Sequence, residues 1–194
     1  KMGVLVLQGA DVNATGYRNM TPLFWTMACK NYAGVEELLK LGANPNYKME
    51  DGASAMWGAA GSSDPHFLPL MLAHGGNPNI RDGYRSALMI AIGRDRTHAI
   101  ALLLDHGADI NEHDDGGNTA ATYAASLAKL DIVKMLLGRG YNYDLKALAY
   151  IVNGIVGSNE LLTQKRDVLG MLKERGVKFP LASPHIGAPP SCIK

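Results

Sequence analysis

Six histidines, two cysteines and the adjacent carboxylates Asp114 and Asp115 are the residues of this chain whose types and placing come nearest to a reactive or metal-binding site. His66, His74, His98, His106, His113 and His185 could ligate a metal, but zinc sites complete their ligand set with further His, Cys or carboxylate groups converging on one point. His74 and His106 instead recur at the same place in a longer pattern, each one residue before a glycine, with no carboxylate or cysteine partner, so no metal is expected. Cys29 and Cys192 make neither a disulfide framework nor a metal cluster. Cys29 falls at the end of a helical stretch and reads as a free small hydrophobe. Asp114-Asp115 has the look of an acid/base pair, but it runs into Gly116-Gly117 and so reads as a solvated turn. The string from Gly154 to Ser158 comes nearest to a nucleophile elbow or phosphate loop, yet it lacks the central Ser and the final Gly. No catalytic constellation and no cofactor site emerges, so the chain is not expected to be an enzyme.

The elements that would have to position such residues carry the stronger signal. Nearly the same phrase is written four times: Gly9-Ala10-Asp11-Val12-Asn13, Gly42-Ala43-Asn44-Pro45-Asn46, Gly75-Gly76-Asn77-Pro78-Asn79 and Gly107-Ala108-Asp109-Ile110-Asn111. The leading glycines step by 33, 33 and 32 residues, and a further step of 33 reaches Gly140 and a decayed copy, Tyr141-Asn142-Tyr143-Asp144. A fixed period of this size marks a stacked-repeat architecture, which builds extended surface in place of a closed pocket.

Each period has an internal grammar. An apolar stripe at helical spacing precedes the glycine: Val35, Leu38 and Leu39; Phe67, Leu68, Met71 and Leu72; Ile100, Leu103 and Leu104; Ile132, Val133, Leu136 and Leu137. The glycine suits the left-handed position that ends a helix. After it come Thr21-Pro22-Leu23, Ser54-Ala55-Met56, Ser86-Ala87-Leu88 and Thr119-Ala120-Ala121, where Ser or Thr caps a new helix and Pro22 takes its first turn. Ala28, Ala59, Ala60, Ala91, Ala124 and Ala125 are small enough for that helix to pack closely. Helix pairs are predicted at 21–29 and 33–41, 54–61 and 65–74, 86–93 and 97–106, 119–127 and 130–138, with a last pair near 146–156 and 159–175. Boundaries of this kind carry an error of about 2–4 residues.

From Leu5 to about Phe179 the chain resembles ankyrin-repeat proteins. The implied fold class is all-α, a solenoid of stacked helix-turn-helix units with short β-turn fingers. The repeats are read as 1–15 (the end of a truncated unit), 16–48, 49–80, 81–113, 114–146 and an irregular C-terminal capping unit at 147–179, followed by a Pro-rich tail at 180–194. One departure recurs: the histidine of the family's Thr-Pro-Leu-His motif is replaced by Phe24, Trp57, Met89 and Thr122. That puts the histidine's usual hydrogen bond in doubt, but not the fold.

Composition agrees. With 194 residues, 47% of them hydrophobic, one solenoid domain can bury a sizeable core, and a net charge of +1 is no basic stripe for nucleic acid. No run approaches the ~20 apolar residues of a membrane span. Lys1 to Leu5 reads as the interior of a second helix, so the chain is expected to start within a repeat, with any signal peptide or lipid anchor upstream.

Function is therefore expected on the surface. In the resembled family, partners are gripped by the turn tips and the exposed ends of the first helices, along the concave side. By repeat position this implies Tyr17, Arg18 and Met20; Glu50, Asp51 and Ser62; Asp82, Tyr84, Arg85 and Arg94; and Asp115, Asn118, Ser126 and Leu127. Tyr17, Arg85 and Arg94 read as interface anchors, whereas the acidic tips read equally as contacts or as ordinary solvated turns. Trp25 and Trp57 are placed facing the core. A narrower resemblance rests on Thr21-Pro22-Leu23-Phe24-Trp25, Tyr47 to Gly52, His74 to Asn79, and the charged stretch Glu160 to Val177. These are similar to bacterial ankyrin-repeat immunity proteins encoded beside type VI secretion phospholipase effectors. That likeness implies a periplasmic protein that binds and neutralises a secreted lipase toxin. The alternative is an ankyrin adaptor or scaffold holding another regulatory protein.

Overall fold

The computed structural model of the chain describes residues 9–114 and 116–181. The expectations for the N-terminal residues 1–8, for Asp115, and for the tail from 182 with its His185 and Cys192 fall outside the described residues. Two compact units are present, Lys1–Ala120 and Ala121–Lys194.

The first unit is built of helix pairs: α1 (Pro22–Ala28) with α2 (Tyr32–Lys40), α3 (Ala55–Ala60) with α4 (Phe67–Ala73), and α5 (Ala87–Gly93) with α6 (Thr97–Asp105). A single 3-10 turn, Tyr17–Asn19, precedes them. At its border α7 (Ala120–Ser126) begins, and the second unit continues with α8 (Leu130–Gly138), α9 (Leu145–Gly154) and α10 (Asn159–Glu174). Every helix end lies within two residues of its predicted position. The pairings outside helices, among the described residues, are two isolated antiparallel bridges, Arg81 with Ser86 and His113 with Thr119.

Local chemistry accounts for the starts and stops. The hydroxyls of Thr21, Ser54 and Ser86 accept the backbone N–H three residues on, at 3.3, 3.1 and 3.2 Å, satisfying donors that a helix start leaves orphaned. At the other end, the N–H of Ala43, Gly76, Ala108, Tyr141 and Val177 donates back to the carbonyl five residues earlier, each at 2.8–3.1 Å. The preceding glycine makes this closure possible: Gly42 sits at φ 88° and Gly140 at φ 100°, where a side chain would be strained.

Within the first unit, α1 packs on α3 and α3 on α5. Ala59, Ala60, Ala87 and Ala91 are buried, and Val35, Leu38, Phe67, Met71, Ile100 and Leu103 fill the layer behind them. In the second unit α10 packs on both α8 and α9, and Leu130, Leu136, Leu137, Tyr141, Leu148, Val168 and Leu172 form the core. Tyr141 stands where the other copies carry Ala or Gly, and it is fully buried.

Three expectations are corrected in α1. Trp25 is 60% exposed, and Ala28 and Cys29 are exposed as well. The buried stripe of this helix is Leu23 and Met27. Two residues along a helix turn by about 200°, so Trp25 and Cys29 point away from the stripe that buries Met27.

Candidate protein-interaction surface

The repeated phrase shows what holds the turns in the first unit. In each copy the first polar residue closes a local turn: Asp11, Asn44, Asn77 and Asp109 accept from the N–H two residues on at 2.8–2.9 Å. The Asn that ends the phrase reaches into the next copy. Asn13, Asn46 and Asn79 accept from the backbone N–H of Asn44, Asn77 and Asp109 at 2.7, 2.8 and 2.7 Å. This ladder sets the spacing from which the turn tips project.

The most elaborate tip is that of residues 81–86. Asp82 Oδ1 accepts the N–H of Tyr84 at 3.0 Å and of Arg85 at 2.7 Å, and its Oδ2 meets Arg85 Nη2 at 3.3 Å. Burial works to raise the Asp82 pKa, but the two backbone N–H bonds and the Arg85 charge outweigh it, leaving the carboxyl below its ordinary range. Arg81 donates to the Tyr84 carbonyl at 3.0 Å and pairs with Glu112 at 3.0 Å, tying this tip to the following one. On the other side Gly52, at φ 80°, lies so close that a Cβ there would meet the Asp82 carbonyl oxygen at 2.1 Å. The tip is thus braced from both sides, and Tyr84 stands out from it 86% exposed.

Trp57 is neither core nor free. It is half-buried on α3, its Nε1–H donates to the Arg85 carbonyl at 3.2 Å, and the Arg85 guanidinium lies over its ring, 5.5 Å from the centre. The side chain that stands where the resembled repeats carry a histidine therefore clasps the next turn. Its core-facing placement is corrected accordingly, because an indole carrying an N–H is stable where it can reach a partner.

The other predicted contact residues distribute as follows. Tyr17 is 85% exposed beside Arg18, which holds φ 56°, and Met20 closes that turn by donating to the Tyr17 carbonyl at 3.2 Å. Glu50 and Asp51 are exposed on the next tip, and Asp51 accepts from the Ala53 N–H at 3.1 Å. Asn118 is exposed and donates to both Asp114 oxygens, at 3.1 and 2.9 Å; that contact comes first among those lowering the Asp114 pKa. Asp115 lies outside the described residues. Arg94 and Ser62 sit at the far ends of α5 and α3, about 10 Å along the helices from the tips. Arg94 is exposed, with its stem against Gly61, and Ser62 Oγ accepts the Asp64 N–H at 3.0 Å. Ser126 and Leu127 belong to the second unit, where both are exposed and Ser126 donates to the Tyr123 carbonyl at 2.8 Å.

One cluster has no counterpart in the sequence reading. The Tyr32 hydroxyl bonds Asp64 Oδ2, and Asp64 Oδ1 meets His66 Nδ1 at 2.9 Å. Tyr32 stacks on Phe67 at 5.3 Å and meets the His66 ring edge-on at 5.9 Å. The Tyr32 hydrogen bond, followed by the His66 N–H, holds the Asp64 pKa down at about 2. Only the repeat step, which carries Tyr32 near Asp64, could have suggested it.

Among the described residues no group of three His, Cys, Asp or Glu side chains is placed to hold a metal, and no helix is long and apolar enough to cross a membrane.

Residues 55–147 match the family described as "Ankyrin repeats", in three copies. A curated relative, Protein PhlB of Serratia liquefaciens, is 36% identical over 91 residues, covering 43% of this chain. The match spans only 40% of that relative's length. The crystal structure of the human ASB11 ankyrin repeat domain superposes with a TM-score of 0.67 at 21% identity, covering 94% of this chain and 86% of the other.

Proposed function

We infer that this chain, an ankyrin-repeat fold, works by holding a protein partner, and we propose that the partner is a type VI secretion phospholipase effector which it silences as an immunity protein in the periplasm. The observation that carries the binding surface is the braced tip at 81–86, with Tyr84 projecting and Arg85 fixed between Asp82 and Trp57. Aromatic and arginine side chains are the usual interface anchors, and side chains already held in place lose little entropy on binding. The identity of the partner rests on the narrower sequence resemblance, carried by Thr21 to Trp25, Tyr47 to Gly52, His74 to Asn79 and Glu160 to Val177. Inhibition follows from occlusion: a rigid surface seated over a lipase cleft excludes lipid without any chemistry of its own.

The test is growth. The effector encoded beside this protein is directed to the periplasm of a sensitive host, alone or with this chain exported to the same compartment. Co-expression should restore growth, with the two proteins recovered as a stable complex. If the chain neither binds nor protects against any neighbouring effector, the immunity reading fails and the adaptor reading replaces it.

A further inference from the structure

α10 is the last helix among the described residues, and its two sides are not alike. One side joins the second unit: Val168 and Leu172 are buried, and Asp167 meets Lys134 of α8 at 2.9 Å. At about 100° per residue, Leu162, Arg166, Leu169 and Lys173 share an arc of about 60°, turned about 100° or more from both Asp167 and Val168. This is the side on which a further helix would continue the packing that α10 makes on α8.

That side is open. Two grooves run along it, of about 400 and 730 Å³, the first lined by Leu162 and the second by Leu169, Val177 and Phe179. Their charged walls are Lys165 and Arg166 in one and Lys173 and Lys178 in the other, with no carboxylate among the described lining residues. The fold accounts for only one of these cations. Lys165 Nζ donates to the Asn153 and Ile155 carbonyls at 2.6 and 2.8 Å, at the C-terminal end of α9, where a cation is favourable. Arg166 has one bond, from Nη2 to Thr163 Oγ1 on its own helix at 3.3 Å. Lys173 and Lys178 are exposed and make no hydrogen bond or ion pair among the described residues. Lys178 also lines an adjoining groove with Asp144, whose Oδ1 accepts the Ala147 N–H, but no ion pair joins the two.

The junction between α8 and α10 indicates what such a side receives. There α8 presents Lys134, and the helix packed on it presents Asp167. α10 in turn presents Arg166 and Lys173 beside Leu162 and Leu169, and among the described residues no acid-bearing helix follows. We propose that this side of α10 seats a helix of a protein partner that carries carboxylates beside leucine-sized apolar side chains. Half-buried leucines within grooves are reached by protruding side chains, not by a flat lipid surface. The same side of a second copy would set cations against cations, and residues 182–194 contain no Asp or Glu to complement them. The inference rests on the reading of this chain as a protein-binding module and adds a second surface, within the second unit.

The probe is a library of random 16-residue peptides displayed on phage, selected on the full chain and counter-screened on Lys173→Glu/Lys178→Glu. Both positions are exposed, so the variant should keep the wild-type helical spectrum. Peptides that need these lysines should carry Asp or Glu at helical spacing beside Leu or aromatic residues. They should bind the variant at least about tenfold more weakly and regain affinity for it when their acids are changed to Lys. Lys173→Gln/Lys178→Gln, which removes the charges without reversing them, should fall between. The proposal is overturned if no selected peptide depends on the lysines, or if the dependent ones lack acids. It is also overturned if the lysines instead drive sedimentation with phosphatidylcholine–phosphatidylserine vesicles, or a wild-type dimer that the variant lacks. The tip variant Tyr84→Ala/Arg85→Ala/Arg94→Ala should retain the selected peptides. Failure here therefore leaves the effector contact at the tips standing, and loss of effector binding by the tip variant leaves this surface in place.

Discussion

Asn46 joins two successive turns through both ends of its amide: Oδ1 accepts the Asn77 N–H at 2.8 Å, and Nδ2 donates to the Gly75 carbonyl at 2.8 Å. Asn79 repeats the arrangement toward Asp109 and Gly107, at 2.7 and 3.2 Å. The last letter of the repeated phrase is therefore an inter-repeat tether. Asn46→Ala removes two bonds and is expected to cost about 1–2 kcal/mol, whereas the exposed neighbour Lys48→Ala should stay within about 0.5. Urea unfolding of the two variants distinguishes them, and equal losses would deny the tether its role.

Core and surface should separate cleanly in the first unit. Leu103 is fully buried, and Leu103→Ala is expected to destabilise by about 2–5 kcal/mol. Arg85→Ala loses an exposed ion pair and a cation–π contact, so its cost should be below about 1 kcal/mol. Thermal or chemical denaturation checks both, and a comparable loss for Arg85 would make the tip a structural element.

The Tyr32–Asp64 contact predicts an acid dependence. Asp64 is held at about 2 in the folded protein against an ordinary value of 3.8. A depressed carboxyl contributes stability that is present above its unfolded pKa and disappears as pH falls through the folded one. The contribution should therefore be complete above pH 3.8 and fade toward pH 2. Tyr32→Phe removes the largest cause and should raise the Asp64 pKa, which a carboxyl-detected NMR titration reads directly. An Asp64 midpoint unchanged in that variant would contradict the assignment.

The helices were legible because periodicity, capping residue and glycine stop all mark the same boundaries, as in Ser86 to Gly107. The exposed tips were legible by register: Tyr17 and Tyr84 project as expected. Trp25 and Trp57 were not, because a large aromatic in a helix reads as core unless its angle from Leu23 and Met27, or from Met56 and Ala60, is followed around the helix. Nor was the Tyr32–Asp64–His66 cluster, since partners one repeat apart meet only once the loops are superposed in space. Asn46 was read only as the last letter of the repeated phrase, and its amide contacts depend on the next copy.

The most direct measurement is the affinity of the effector proposed as partner, once purified, for three forms of this chain, by calorimetry. These are the wild type, the triple variant Tyr84→Ala/Arg85→Ala/Arg94→Ala, and the control Glu36→Ala/Lys40→Ala, which breaks only an exposed ion pair on α2. Each anchor truncation is expected to cost about 1–3 kcal/mol of binding, so the triple variant should bind at least about a hundredfold more weakly while keeping its helical spectrum. The control should bind as the wild type does. A triple variant that binds undiminished, or a control weakened to the same degree, would contradict the claim that the braced tip and inner-helix ends hold the partner.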